Sequence, residues 1–205
     1  MPKIVDWDAR REEILMATWR VITRDGLAKT TVRAIAREAD CSQGILAHYF
    51  DDKDDILAEA LLMSHRHVRA RTDEKTAGVH GFAALRIFML EALPLDAERA
   101  IEAQIEVSFW SRMLADGDLA KLQRSEVERL RSRLRGYLDE SVKLGELRPG
   151  LDLEVAVHEL MVLVDGLSVQ FVHDPKRVPA HRQLEMLGRL LDRLARPRRR
   201  VTAHR

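Results

Sequence analysis

An all-α fold of about nine helices is what this sequence predicts, and three observations carry that expectation. Apolar residues fill 46% of the 205 positions but aromatics only 5%, so the core must be built from Leu, Ile, Val, Ala and Met. Charged residues reach 33%, enough to coat the outer faces of long amphipathic helices. Prolines number six, and no stretch alternates apolar and polar residues for long enough to make a strand.

Each helix has its own signal. Asp8 to Asp25 puts Ile14, Leu15, Thr18, Val21 and Ile22 on one face, and Gly26 stops it. Thr30 or Thr31 caps a short second helix with Val32, Ile35, Ala36 and Ala39 inward. After the tight connection Asp40-Cys41, Ser42 caps a third helix of about two turns. Asp51 to Asp55 opens a fourth, with acidic residues where the helix dipole favours them; it continues towards Arg71. The polar run Thr72 to Gly81 reads as a break. Phe82–Leu93 is helical and ends at Leu93-Pro94-Leu95-Asp96. Ala97–Ala115, Leu119–Leu144, Leu153–Asp174 and Ala180–Ala195 complete the set. They are punctuated by Asp116-Gly117-Asp118, by Gly145 with Pro149, and by Asp174-Pro175. A basic tail closes the chain.

The second and third helices have helix-turn-helix spacing. Such a motif sets the start of its second helix in the major groove of DNA. Gly44 then has a purpose, because a side chain there would hold the backbone away from the bases. Gln43 can read a base edge and Ile45 can touch a thymine methyl group. Leu46 and Phe50, four apart, point back into the core. His48 and Tyr49 reach sideways, Tyr49 towards a phosphate, and Lys53 adds a cation where free amides at a helix start also attract phosphate.

Residues 8 to 62 resemble the DNA-binding domain of TetR-type transcriptional regulators. The matching stretches are "ILMATWRVITRDGL", "TTVRAIAREAD", "CSQGILAHYF" and "DDKDDIL". The segment "GILAHYF", with "LPLD", Phe109-Trp110, "LGELRPGLD" and "LVDGLSVQ" beyond it, is closest to the BetI-like, choline-responsive branch. The resemblance implies an N-terminal helix-turn-helix domain at 1–62, a larger helical ligand-binding and dimerisation domain at 63–196, and a basic tail at 197–205. It implies that Thr31 and Arg33 touch phosphate or a base, that Gln43, Gly44, Ile45 and His48 face bases beside the capping Ser42, and that Tyr49 and Lys53 hold the backbone. Two positions depart from the family pattern. Asp40 stands where glycine is usual, and Ala47 where an aromatic is commoner.

The same resemblance implies a homodimer on a double-stranded DNA operator, with a small-molecule effector. Leu160, Leu163, Leu167 and Phe171 in one helix, with Leu187 and Leu191 in the next, are the expected dimer contacts, and Asp165-Gly166 would let two backbones come close. Two-fold pairing doubles the base contacts on a palindrome. Phe88, Met89, Gln104, Glu106, Phe109, Trp110, Met113 and Tyr137 lie between the two ends. They are candidate pocket residues for a quaternary ammonium ligand, or, read plainly, core. Glu106 and Trp110 share a helix face, so a ring and a carboxylate could hold a cation together. Without a cation, Glu106 would need an arginine such as Arg112 or Arg135.

Other classes find less support. Net charge is +1, so any DNA surface is local rather than global. The single Cys41 leaves no internal disulfide and no cysteine-based zinc site. His65 and His67 point apart on a helix, and His158-Glu159 lacks the second histidine of a zinc protease. No catalytic site, metal or cofactor is expected. With no signal peptide or apolar run long enough for a bilayer, the protein is read as cytoplasmic with no membrane partner. A DNA-binding global or architectural regulator without an effector is the alternative.

Overall fold

The computed structural model describes residues 7–113 and 117–197, except the side chains at 111, 112 and 118. The side chain of Arg112 and residues 198–205 of the basic tail lie outside the described residues. Nine α-helices follow in order among them: α1 Trp7–Asp25, α2 Val32–Glu38, α3 Gln43–Tyr49, α4 Lys53–Thr76, α5 Gly81–Glu91, α6 Ala97–Met113, α7 Gly117–Lys143, α8 Leu153–His173 and α9 Ala180–Leu194. A single 3-10 turn, Leu27–Lys29, joins α1 to α2.

The caps sit where side-chain oxygens can reach the first free amides. Thr31 accepts from the Ala34 amide, Ser42 from Ile45, Asp52 from Asp54 and Asp55, and Asp152 from Glu154 and Val155. Each such cap is worth about 1 kcal/mol. The α2–α3 turn closes with two backbone bonds, Asp40 N–H to Arg37 O and Cys41 N–H to Ala36 O. That pattern needs a left-handed residue after the helix, and Asp40 supplies it at φ +48.

Two apolar clusters hold the chain. The first gathers Ile14, Leu15, Ile22, Ile35, Leu46, Phe50, Leu57 and Leu61 with Ile105, Phe109 and Leu119. The α2–α3 pair therefore sits on α1 and α4 and is closed from behind by α6 and the start of α7. The second gathers Leu85, Phe88, Met89, Leu134, Leu138, Val157, Leu160, Leu167, Leu187 and Leu191 from α5 and α7–α9. Helix α4 runs from the first cluster alongside the second half. It is longer than the sequence suggests, because the polar residues of its last turns make ion pairs rather than a loop: Arg71 with Glu91 and Glu102, and Lys75 with Glu91. The break is confined to 77–80.

The start of α5 is fixed from outside. The Gly81 and Phe82 amides donate to Glu140 and Glu146 at 2.7 and 2.8 Å. A Cβ on Gly81 would lie 2.4 Å from Glu146 Oε2, and its φ of +57 also suits glycine. Helix α8 is long and apolar enough by composition to cross a membrane, with 28% of its most apolar window buried. Its inner side is part of the second cluster.

Candidate functional site

The candidate DNA face is built from α2, α3 and the first turn of α4. Leu46 and Phe50 anchor α3 in the core, which turns Gln43, Gly44, Ile45 and His48 outward, all exposed. Ile45 is 40% exposed despite its size. A methyl group on Gly44 would meet only Ser42 Oγ at 3.7 Å, an ordinary contact, so nothing inside the protein requires a glycine there. Thr31 and Ser42 spend their oxygens as acceptors in capping, and each hydroxyl proton remains to be donated. Tyr49 is half-buried, its ring centroid 4.2 Å from that of the exposed Trp7.

Charge on this face is local. Residues 1–62 carry nine Lys or Arg against twelve Asp or Glu. The arginines of α1 are engaged with acids: Arg11 with Glu59, Arg20 with Glu38, and Arg24 with Asp25 and Glu38. Lys29, Arg33 and Arg37 are exposed, and no ion pair holds them among the described residues. The start of α4 differs from expectation. Asp52 occupies the Asp54 and Asp55 amides, at 2.7 and 2.8 Å. The protein's own carboxylate thus sits where a phosphate was expected, and Lys53 is left as the attractive group.

Behind this face, α4–α8 enclose a cavity of about 260 Å³. Val68, Phe88, Trp110, Leu130, Met161 and Val164 give it apolar walls. Its charged groups are largely paired with one another. Glu106 Oε2 lies 2.8 Å from His65 Nε2 and its other oxygen accepts from Gln123. Glu126 is paired with Arg69 and Arg129. Glu91 and Glu102, both buried, are held by Arg71, with Lys75 and Arg99 also on Glu91. Arg133 reaches Asp73 and lies over the Phe88 ring at 5.2 Å. Asp165, on α8, has no hydrogen bond or ion pair among the described residues. Its carboxyl is pushed up to about 6 by the low-polarity surroundings and then by the neighbouring charge of Glu106.

Comparison with known proteins decides the class. The profile of TetR-family bacterial regulatory proteins matches residues 14–60. The C-terminal profile of BetI-type transcriptional repressors matches residues 82–196. The chain belongs to the TetR family. Among its relatives is the HTH-type transcriptional regulator PksA of Bacillus subtilis, 32% identical over 179 residues, 87% of this chain and 86% of that one. Another is the regulator BetI of Burkholderia mallei, 28% identical over 97% of this chain and all of that one. A transcriptional regulator from Saccharomonospora viridis, solved in complex with choline, shares the fold at a TM-score of 0.86. It is 20% identical over 93% of this chain and all of that one.

With the TetR-family frame in place, the pocket candidates separate by helix face. Arg99, Glu102, Ala103, Glu106 and Trp110 of α6 line the cavity. The other side of α6, Ile105 and Phe109, packs into the first cluster, with Ile101 and Met113 against it. Adjacent residues on a helix point about 100° apart, so Phe109 leaves the cavity that Trp110 enters. Met89 is fully buried in the second cluster. Tyr137 packs on Phe88 and Arg133 outside the lining. Gln104 bonds the Thr23 carbonyl. Of the named set, only Phe88, Glu106 and Trp110 line the cavity. Glu106 is satisfied by His65 and Gln123 rather than an arginine, since Arg135 pairs with Asp139 and Glu154.

The dimer candidates also need correction. Leu160, Leu167, Leu187 and Leu191 are buried inside their own chain, and Leu163 and Phe171 pack against the same cluster. What α8 and α9 leave exposed is Val155, Val162, Leu184 and Met186, Val162 at 67%. A Cβ on Gly166 or Gly188 would meet nothing within 4 Å. Residues that sequence reasoning missed have a visible signal in hindsight. Ser64, His65, Val68, Arg69 and Thr72 form a helical stripe down α4, and Asp165 interrupts the apolar run that begins at Leu160 of α8. His67, Glu98 and Glu102 bring one ligand atom each within 4.8 Å of one another, but Arg71 already bridges both glutamates.

Proposed function

We propose that the chain is an operator-binding repressor that works as a homodimer and lets go of DNA when a small organic effector fills the cavity. The observation that carries this reading is the course of α4. Its first turn follows α3 after a three-residue link and shares the first apolar cluster with Leu46 and Phe50, and twelve residues later its side chains line the cavity wall. A ligand that prefers one tilt of α4 thereby prefers one placement of α3, and differential affinity of that kind is what shifts such an equilibrium.

Gln43, Gly44, Ile45 and His48 read bases, while Thr31, Arg33, Tyr49 and Lys53 hold the phosphates. The two copies meet across the exposed stripe of α8 and α9, where Gly166 and Gly188 admit a close helix crossing. The effector class is a quaternary ammonium or a cation like it, in line with the choline bound by the Saccharomonospora viridis protein. The protein acts in the cytoplasm, beside the DNA it reads. The open cavity favours this reading over an architectural regulator without an effector, which would do better with a filled core.

Operator selection from random duplexes, followed by footprinting, tests it. The expected result is a palindrome protected by a dimer. On that site Gln43→Ala should cost about 1–3 kcal/mol while leaving nonspecific binding nearly unchanged. Equal loss on both would remove Gln43 from base reading.

A further inference from the structure

We propose that Asp165 is the charge-selecting residue of the cavity, the counter-ion for a singly charged organic cation whose charged head packs on the Trp110 ring. The inference rests on the effector reading above and adds to it a residue and a rule of selection.

Two independent observations lead there. The first is the charge pattern. Around the cavity, α4 contributes His65 and Arg69, α5 Glu91, α6 Arg99, Glu102 and Glu106, and α7 Glu126, Arg129 and Arg133. Each of these has an ionic or hydrogen-bonded partner of its own. An anionic ligand would have to break an existing pair to find a cation. Asp165 alone of the lining carboxylates has nothing opposite it among the described residues, and α9 brings no group to the cavity. One unmatched negative charge calls for one positive charge.

The second observation concerns the rings. One face of Phe88 is taken by the Arg133 guanidinium. Trp110 lines the same cavity and has neither a ring nor a cation stacked on it among the described residues. An indole is the side chain that attracts a cation most strongly through its face. The carboxylate and the ring therefore present matching vacancies on α8 and α6, two helices that pack on one another.

Protons compete for the same carboxylate. Asp165 is exposed to water in the single chain, yet the apolar groups around it and then Glu106 push its pKa up to about 6. A bound cation must displace that proton, so cation affinity falls as pH drops through this value.

The test uses the full chain, choline as the cation, and 3,3-dimethylbutan-1-ol as its uncharged isostere, with binding read by calorimetry. At pH 7.5 choline should bind the wild type more tightly than the isostere. At pH 5.0 its affinity should be about tenfold lower, one pH unit below the titration. Asp165→Asn should lose at least that much at pH 7.5, flatten the pH profile, and bind the isostere no worse than the wild type. Asp165→Glu should restore the preference for charge. A pH profile that keeps its full slope in Asp165→Asn overturns the assignment. Unchanged choline binding in Asp165→Asn, or a wild type that binds the isostere as well as choline, overturns the assignment. So does the failure of choline, tetramethylammonium and tetraethylammonium to bind at millimolar concentration. Operator binding by the ligand-free proteins is measured alongside: if it is intact the repressor reading stands without the cation site, and if it is absent in the wild type that reading fails first.

Discussion

Gly44 is a residue whose identity the fold does not explain. It sits in a helix, at an ordinary φ, where an added Cβ would meet only Ser42 Oγ at 3.7 Å. Alanine there should favour the helix by about 1 kcal/mol. Gly44→Ala is therefore expected to melt no lower than the wild type, and slightly higher, while its operator affinity drops. Thermal melts and binding isotherms on the same preparations check this. A loss of affinity together with a loss of stability would point to a packing role instead. At this scale the sequence is legible where one residue has one job. The Ser42 cap, the core pair Leu46 and Phe50, and the exposure of Gln43, Gly44, Ile45 and His48 are legible from spacing alone. Phe109 is not, because an aromatic in mid-helix fits a pocket and a core equally well, and only the rotation of α6 separates it from Trp110. Asp165 was read with Gly166 as part of a helix crossing; its carboxylate matters because of what α6 and α7 fail to place opposite it, which no local pattern reveals.

At the scale of elements, helix boundaries were legible to within a few residues wherever a cap or a glycine marked them. The end of α4 was misjudged because its last turns are polar, and polar residues there serve the ion pairs to Glu91 and Glu102 rather than a loop. The stripes of α8 and α9 were seen, but not which half of each faces inward. Leu160, Leu167, Leu187 and Leu191 go to the chain's own core here, and Val155, Val162, Leu184 and Met186 are left outside. The dimer prediction changes accordingly. Val162→Asp should shift sedimentation towards a monomer and weaken operator binding, yet leave the melting temperature of the monomer near that of the wild type, because Val162 is 67% exposed in the single chain. The same aspartate at Leu160, which is fully buried, should unfold the domain. If Val162→Asp stays dimeric, the interface lies elsewhere.

For the whole molecule, Asp165 imposes a pH dependence of known sign. Its carboxyl titrates near 6 in the folded chain against 3.8 as the ordinary value, so the folded state holds its proton more tightly. The contribution to stability is fully present below about pH 3.8 and is lost as pH rises through 6. Asp165→Asn should accordingly raise the melting temperature of the ligand-free protein at pH 7.5 more than at pH 4.5. Equal shifts at the two pH values would show that the carboxylate is not strained by its surroundings. The operator-reading domain and the cavity are thus coupled to different variables, one to phosphate charge and one to protons and cations, and α4 touches both.

Helix α4 can also be considered as a lever arm. From Lys53 to His65 it measures about 18 Å at 1.5 Å per residue, so a tilt of about 6° around the His65–Glu106 hydrogen bond carries the Lys53 end through about 2 Å. The first apolar cluster fastens α1, α2 and α3 to that end, including the indole N–H of Trp19 on the Ala60 carbonyl at 2.9 Å, so they travel with it. In a pair of copies related by two-fold symmetry the displacements add. Such a tilt would open the distance between the two α3 helices by about 4 Å, roughly one base-pair step, and the duplex itself becomes the gauge that registers it.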